Sequence, residues 1–256
     1  MLLAIDVGNT HITLGVYDRE KLTCHWRIST DRRKTADEYG VLLRQLFAVQ
    51  QQDMSRVDAV ALSSVVPPLT TSLVEMARHC FRVDPLVVGP GIKTGMPIRF
   101  DNPKEVGADR IVNAVAAYHK YGGPAIVVDL GTATTFDVIS AKGEYLGGAI
   151  APGVGISTDA LFSYAARLPR VELVKPPTVI GKNTVNCMQS GIIYGLYGQV
   201  EGIVNRMKKE IPGRVRAIAT GGFAFLFAHE EGIVDRVDPF LTLEGLRLIH
   251  DMNKEL

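Results

Sequence analysis

The stretch Leu2-Leu3-Ala4-Ile5-Asp6-Val7-Gly8-Asn9-Thr10-His11-Ile12-Thr13-Leu14-Gly15-Val16 decides how this chain is read. An apolar run reaches Asp6, Gly8-Asn9 breaks it, and Ile12, Leu14 and Val16 then alternate with His11, Thr13 and Gly15 at the period of a half-buried strand. The expected order is strand, turn, strand. The pattern returns about half a chain length later. Ala125-Ile126-Val127-Val128 runs into Asp129-Leu130-Gly131-Thr132-Ala133-Thr134, and Thr135 to Ile139 continues as a strand. Self-similarity of this kind predicts two related halves with equivalent folds. The break at Gly122-Gly123-Pro124 sets the expected boundary near residue 120, with one domain over 1–120 and a second over 121–256.

Outward from these two turns, strands and helices alternate. Thr35-Ala36-Asp37-Glu38 has capping-box spacing and leads into Tyr39, Leu42, Leu43, Leu46 and Phe47, which predicts an amphipathic helix. A β-branched run over 57–66 ends at Pro67-Pro68, a helix is expected over 69–81 and a short strand over 85–88. A Gly- and Pro-rich loop then precedes a helix over 109–121. In the second half the spacing predicts helices over 157–167 and 183–209, a strand over 215–219, and a last helical region opened by Gly221-Gly222. The chain is therefore read as α/β, with mixed sheets flanked by helices. Gly191, Gly195, Gly198 and Gly202 fall on one face of the long helix. Each glycine costs a helix about 1 kcal/mol relative to alanine, so close backbone approach must offset it, through packing on the sheet or through a subunit contact.

With 46% hydrophobic and 21% charged residues among 256, the chain can bury a sizeable core. Twenty-eight basic residues against 27 acidic ones leave a net charge of +1, so no footprint for nucleic acid or anionic lipid is visible and a small-molecule partner is expected. Cys24, Cys80 and Cys187 form no Cys-x-x-Cys pair and fit a reducing cytoplasm. The first residues carry no basic region or adequate h-region, and no apolar run is long enough to cross a bilayer. The expected location is cytoplasmic, with no membrane partner.

A turn of the type Asp-x-Gly-x-Thr between two strands offers a polyphosphate close backbone approach, exposed N–H donors and hydroxyls. Its aspartate adds a ligand for Mg²⁺, usually through water. Gly-Asn is also good chemistry for an ordinary hairpin, so one copy alone would not decide. Two copies after two apolar strands point to nucleotide binding. Gly89-Pro90-Gly91-Ile92-Lys93-Thr94 lacks the spacing of a P-loop, and Gly153-Val154-Gly155 lacks the third glycine of a dinucleotide fingerprint. Between the two turns, Asp109 can serve either as a base for an attacking hydroxyl or as an N-terminal cap of the helix that follows. Arg110 is either a fixed cation for an anionic ligand or a solvated helix residue.

Asp6-Val7-Gly8-Asn9-Thr10, Asp129-Leu130-Gly131-Thr132-Ala133-Thr134 and Thr220-Gly221-Gly222 resemble the phosphate-1, phosphate-2 and adenosine motifs of the acetate kinase, sugar kinase, Hsp70 and actin superfamily. Within it, Asp101-Asn102-Pro103, Gly107-Ala108-Asp109-Arg110 and Gly147-Gly148-Ala149-Ile150-Ala151-Pro152-Gly153 resemble the type III pantothenate kinases over essentially the whole chain. The resemblance implies duplicated ribonuclease H-like, actin-like ATPase domains. It implies transfer of the ATP γ-phosphoryl group to pantothenate, the first step of coenzyme A synthesis, with Asp109 as catalytic base. It further implies ATP binding by Asp6, Val7, Gly8, Asn9, Thr10, His11, Ile12, Thr13 and Thr132, and acceptor binding by Gly107, Ala108, Asp109, Arg110 and Thr184. Asp129 would hold a monovalent cation, K⁺ or NH₄⁺, beside Mg²⁺ carried with ATP, and the protein would be a homodimer. The cation has independent sense, because neither phosphate turn contains a basic residue to offset the triphosphate. Phe100 stands where the family pattern carries tyrosine, which implies altered acceptor affinity rather than a different reaction. A noncatalytic regulatory relative of the same fold is the competing reading. The presence of Asp6, Asp109, Arg110 and Asp129 together argues for the enzyme.

Overall fold

The computed structural model describes residues 1–165, 167–228, 230 and 232–254. The chain divides into two compact units, Met1–Lys120 with Phe240–Leu256, and Tyr121–Pro239. In the first, β1 (Leu2–Val7), β2 (His11–Asp18) and β3 (Lys21–Ser29) form an antiparallel meander. After α1 (Ala36–Val49), β4 (Ala59–Ser64) pairs parallel to β1, and after α2 (Pro67–Phe81), β5 (Leu86–Val87) pairs parallel to β4. The sheet order is β3-β2-β1-β4-β5. Leu3, Ile5 and Val7 share one face with Ile12, Leu14 and Val16 and pack with Leu43, Phe47, Leu69, Leu73 and Met76 of the two helices. The predicted capping box is present at Thr35 and Glu38, and Pro67 opens α2 at a position where its missing N–H costs nothing. A loop then leads to α3 (Ala108–Tyr121).

The second unit repeats this plan. β6 (Ala125–Leu130), β7 (Ala133–Ile139) and β8 (Tyr145–Pro152) form the meander, followed by α4 (Val154–Tyr164) and α5 (Thr184–Glu210). β9 (Arg216–Thr220) pairs parallel to β6 and β10 (Arg236–Val237) parallel to β9, giving the order β10-β9-β6-β7-β8. Read from the other edge, the two orders are the same. The duplication legible in two short turns is thus a duplication of whole sheets.

The chain ends in α6 (Leu241–Asn253), which packs against β1, β2 and β4. Two glycines let α6 lie close to its neighbours, one on the sheet and one facing α3. Leu243 occupies the space beside Gly15, and Gly245 lies where a Cβ would stand 2.7 Å from Val112 Cγ1 of α3. The sequence reading assigned every residue after 120 to the second domain. The structure groups the last helix with the first unit, because its buried stripe of Leu241, Leu243, Leu246, Leu248 and Ile249 covers the sheet face opposite α1 and α2.

Three local expectations shift. β8 was read only as a glycine-containing motif, since Gly147-Gly148 lowers strand propensity, yet it pairs along β7 from Ala133 to Ile139. α4 begins at Val154 rather than Ser157, with Gly153 before it, and Ala166, inside the expected helix, lies outside the described residues. Gly221-Gly222 opens only a short 3₁₀ turn over Ala224–Phe227, and the last helix begins further on, at Leu241.

Candidate active site

The first Asp-x-Gly turn is held on itself and by the chain just past β3. Gly8 N–H donates to the His11 carbonyl at 3.0 Å, and Thr30 N–H to the Thr10 carbonyl at 3.0 Å. The Thr30 hydroxyl donates to the Gly8 carbonyl at 2.7 Å, and Arg32 Nη2 donates to Asn9 Oδ1 at 2.9 Å. Arg27 Nη2 lies 2.8 Å from His11 Nδ1; burial, and then the Arg27 charge, lower the His11 pKa, which leaves the ring neutral and able to accept. Val7 and Ile12 point into the core at 1% and 0% exposure, so only their backbone is available to a ligand. Asn9 and Thr10 are exposed. Sequence reasoning found no basic residue in this turn, but Arg32 reaches it from beyond the end of β3. Neither Thr30 nor Arg32 carried a local signal, because their role depends on strand pairing.

The second turn is one residue shorter and is held by backbone. Gly131 N–H donates to the Ala133 carbonyl at 3.0 Å, Gly153 N–H to the Thr132 carbonyl at 3.2 Å, and Phe223 N–H to the Leu130 carbonyl at 3.0 Å. Gly221 adopts φ +91, and a Cβ there would collide with the Asp129 carboxylate and stand 2.7 Å from the Leu130 nitrogen. Only glycine lets this backbone lie against Asp129. Thr132 is exposed.

The two aspartates occupy equivalent rungs. Asp6 is paired with Thr13 on one side and Ser63 on the other, and Asp129 with Thr135 and Thr220. Each carboxylate therefore sits in the ladder between two hydroxyl-bearing residues. Ser63 escaped sequence reasoning because periodicity does not say which strands are neighbours.

In the segment over 101–110, Asn102 Nδ2 donates to Glu105 Oε1 at 2.7 Å and holds a short turn ahead of α3. Asp109 lies inside the first turn of α3, and its Oδ1 accepts the N–H of Arg110 at 2.8 Å. A Cβ on Gly107 would come within 2.5 Å of that same oxygen, so the glycine makes room for the carboxylate. Burial raises the Asp109 pKa above the usual carboxylate range, while the Arg110 backbone N–H and guanidinium pull the other way. A partly buried carboxyl with a raised pKa has the character of a general base. Arg110 is only 9% exposed, which removes the reading of a solvated helix residue. One turn on, Asn113 is 1% exposed and accepts from the Thr242 hydroxyl of α6 at 2.7 Å.

Asp6 to Thr13 and Gly107 to Arg110 thus belong to the first unit, and Asp129, Thr132 and Thr184 to the second. Thr184 is exposed at the first position of α5, after Asn183, whose side chain accepts the Asn186 N–H at 2.9 Å. The donors at both turns are oxygens, as Mg²⁺ and K⁺ require. Among the described residues there is no group of three or more His, Cys, Asp or Glu side chains placed to hold a metal ion.

Two sheets of one topology, each with a glycine turn after an aspartate, define the actin-like ATPase and sugar kinase class. An inorganic polyphosphate/ATP-glucomannokinase from Arthrobacter sp. strain KM superposes with a TM-score of 0.51 over 98% of this chain and 99% of its own, at 14% identity. A conserved Campylobacter jejuni protein named for the Baf family of transcriptional activators superposes at 0.62 over 99% and 100%, at 18% identity. At those identities the likeness is one of fold alone. The model of the type III pantothenate kinases matches residues 2–206, and the type III pantothenate kinase of Moorella thermoacetica is 64% identical over 99% of this chain and 100% of the relative. The chain belongs to the type III pantothenate kinase family.

Proposed function

We propose that the protein transfers the γ-phosphoryl group of ATP to the primary hydroxyl of pantothenate, giving 4'-phosphopantothenate for coenzyme A synthesis. The observation that carries this reading is the 64% identity to a type III pantothenate kinase along essentially the full length of both chains. Phosphoryl transfer needs positioning and charge neutralisation more than covalent help, and the residues suit it. Asp109, with its raised pKa, accepts the proton of the attacking hydroxyl. Arg110 is a fixed cation for the pantothenate carboxylate or a phosphate oxygen, and Gly107 and Ala108 offer backbone contacts. Asp6 to Thr13 and Thr132 hold the nucleotide phosphates, and Thr184 contacts the acceptor. Asp6 would meet Mg²⁺ through water and Asp129 a K⁺ or NH₄⁺ ion, and these ions neutralise charge on the triphosphate. The Baf name of the Campylobacter relative accompanies a likeness of fold only, and Asp6, Asp109, Arg110 and Asp129 favour the enzyme over a noncatalytic regulator.

A homodimer formed through α5 belongs to the same proposal. The side of α5 packed in the core carries Ile193, Leu196, Tyr197, Val200 and Val204, while Gly191, Gly195 and Gly198 are exposed and a Cβ on any of them would meet nothing within 4 Å. Sheet packing therefore does not account for the glycine face. A groove of about 410 Å³ runs beside it, lined by Val154, Leu161, Met188, Ile192 and Leu196 among others. No helix among the described residues is long and apolar enough to cross a membrane, and a cytoplasmic location fits the substrates.

The test is a coupled ADP-release assay with and without pantothenate, run in K⁺ and then in Na⁺. The expected result is pantothenate-dependent release that is faster in K⁺. Release no faster with pantothenate than without it would remove the acceptor assignment.

A further inference from the structure

Ser63, near the end of β4, is 0% exposed, and its Oγ has no hydrogen-bond partner. Among the described residues the other buried side-chain polar atoms without a hydrogen-bond partner are Thr134 Oγ1 and His250 Nδ1. Buried hydroxyls are nearly always paired, and one left unpaired is worse than the methyl of alanine. Side chains alternate along a strand, so Ala59, Ala61 and Ser63 share one face of β4, and their partners on β1 are Leu2, Ala4 and Asp6. Small residues suffice along this face. A hydroxyl enters only at the rung of the carboxylate.

The second unit provides an internal control. Its parallel strand β9 places Thr220 on the rung of Asp129, where β4 places Ser63 on the rung of Asp6. Two copies of one topology, diverged elsewhere, both put a hydroxyl beside the turn aspartate. General strand preference would not choose serine for a fully buried strand position.

We propose that Ser63 is a positioning residue for Asp6: its hydroxyl donates to the Asp6 carboxylate when nucleotide is bound, fixing the oxygen that faces the phosphate-bound divalent ion. The proposal rests on the reading of Asp6 as the carboxylate serving phosphate and Mg²⁺. Ser63 itself touches neither substrate.

The experiment is a calorimetric titration of the full chain with a nonhydrolysable ATP analogue, in Mg²⁺ and in EDTA, for wild type, Ser63→Ala, Asp6→Asn and the double variant. Ser63→Ala should fold, since alanine already stands at 59 and 61, and its unfolding midpoint should equal or exceed that of wild type. It should weaken binding of the Mg²⁺ complex about tenfold, in the range of one hydrogen bond to a charged group, and leave the EDTA affinity unchanged. In the Asp6→Asn background it should add nothing. An unchanged Mg²⁺ affinity, an equal loss in EDTA, or a loss additive with Asp6→Asn would each overturn the role of Ser63. If Asp6→Asn itself leaves the Mg²⁺ affinity intact, the reading of Asp6 fails, and the role of Ser63 with it.

Discussion

The first unit's Asp-x-Gly turn and the second's are the same device built two ways. Both follow a buried strand, both carry an aspartate between two hydroxyl residues in the ladder, and both sheets share one strand order. In the first, side chains brace the loop: the Thr30 hydroxyl on Gly8, Arg32 on Asn9 and Arg27 at His11. In the second, backbone meets backbone through Gly153 and Gly221, with no room for a Cβ at either. A loop braced by side chains can lose them one at a time. A loop packed against glycine backbone tolerates no added atom. The first unit also carries Asp109, so duplication of fold does not imply duplication of chemistry.

The largest effect is expected where the units differ in chemistry. Asp109→Asn should lower kcat by about 10²- to 10⁴-fold and keep ATP affinity, measured by steady-state kinetics and nucleotide titration; an active variant would leave Asp109 a purely structural residue. The same substitution should stabilise the fold at neutral pH. The folded-state pKa of Asp109 is raised, so its contribution to stability is fully present below the ordinary value of about 3.9 and is lost as pH rises through the folded value. The variant's advantage in denaturant unfolding should therefore be present at pH 7 and absent near pH 4.

The two glycines test the contrast in construction. Gly221→Ala must adopt φ +91 and collide with Asp129, and should cost about 3 kcal/mol or more. Gly8→Ala would meet only the His11 carbonyl at 3.1 Å and should cost about 1 kcal/mol. Equal losses in chemical denaturation would break the comparison. Replacing Asp129 by Asn should abolish the difference between K⁺ and Na⁺ in the ADP-release assay; a surviving difference would move the cation elsewhere. The smallest effect is Arg32→Ala, which removes one exposed side-chain hydrogen bond and should raise KM for ATP about two- to tenfold with kcat unchanged. For the second unit's outer surface, Gly195→Leu should shift sedimentation from dimer to monomer, and an unchanged species would free the glycine face of that role.

The two turns, the capping box at Thr35 and the long helix, expected over 183–209 and found at Thr184–Glu210, were legible because each rests on residues close in sequence. So was the Gly107-Ala108-Asp109-Arg110 segment as a local unit, in which Gly107 makes room for the Asp109 carboxylate two positions on. Three features were not legible. β8 hides behind its glycines, α6 returns to the first unit across more than a hundred residues, and Ser63 meets Asp6 only through pairing of β4 with β1. Periodicity marks a strand but not its neighbour.

By itself, then, the sequence determined that two Asp-x-Gly turns end two apolar strands, and that a Gly-Ala-Asp-Arg segment stands between them. Short-range steric preference and hydrophobic period are written locally, so they can be read locally. Only the tertiary structure decided which side chains brace each turn, that burial lifts the pKa of Asp109, and that a hydroxyl flanks each aspartate on both sides. Those depend on strand order and desolvation, which exist only once distant segments have packed.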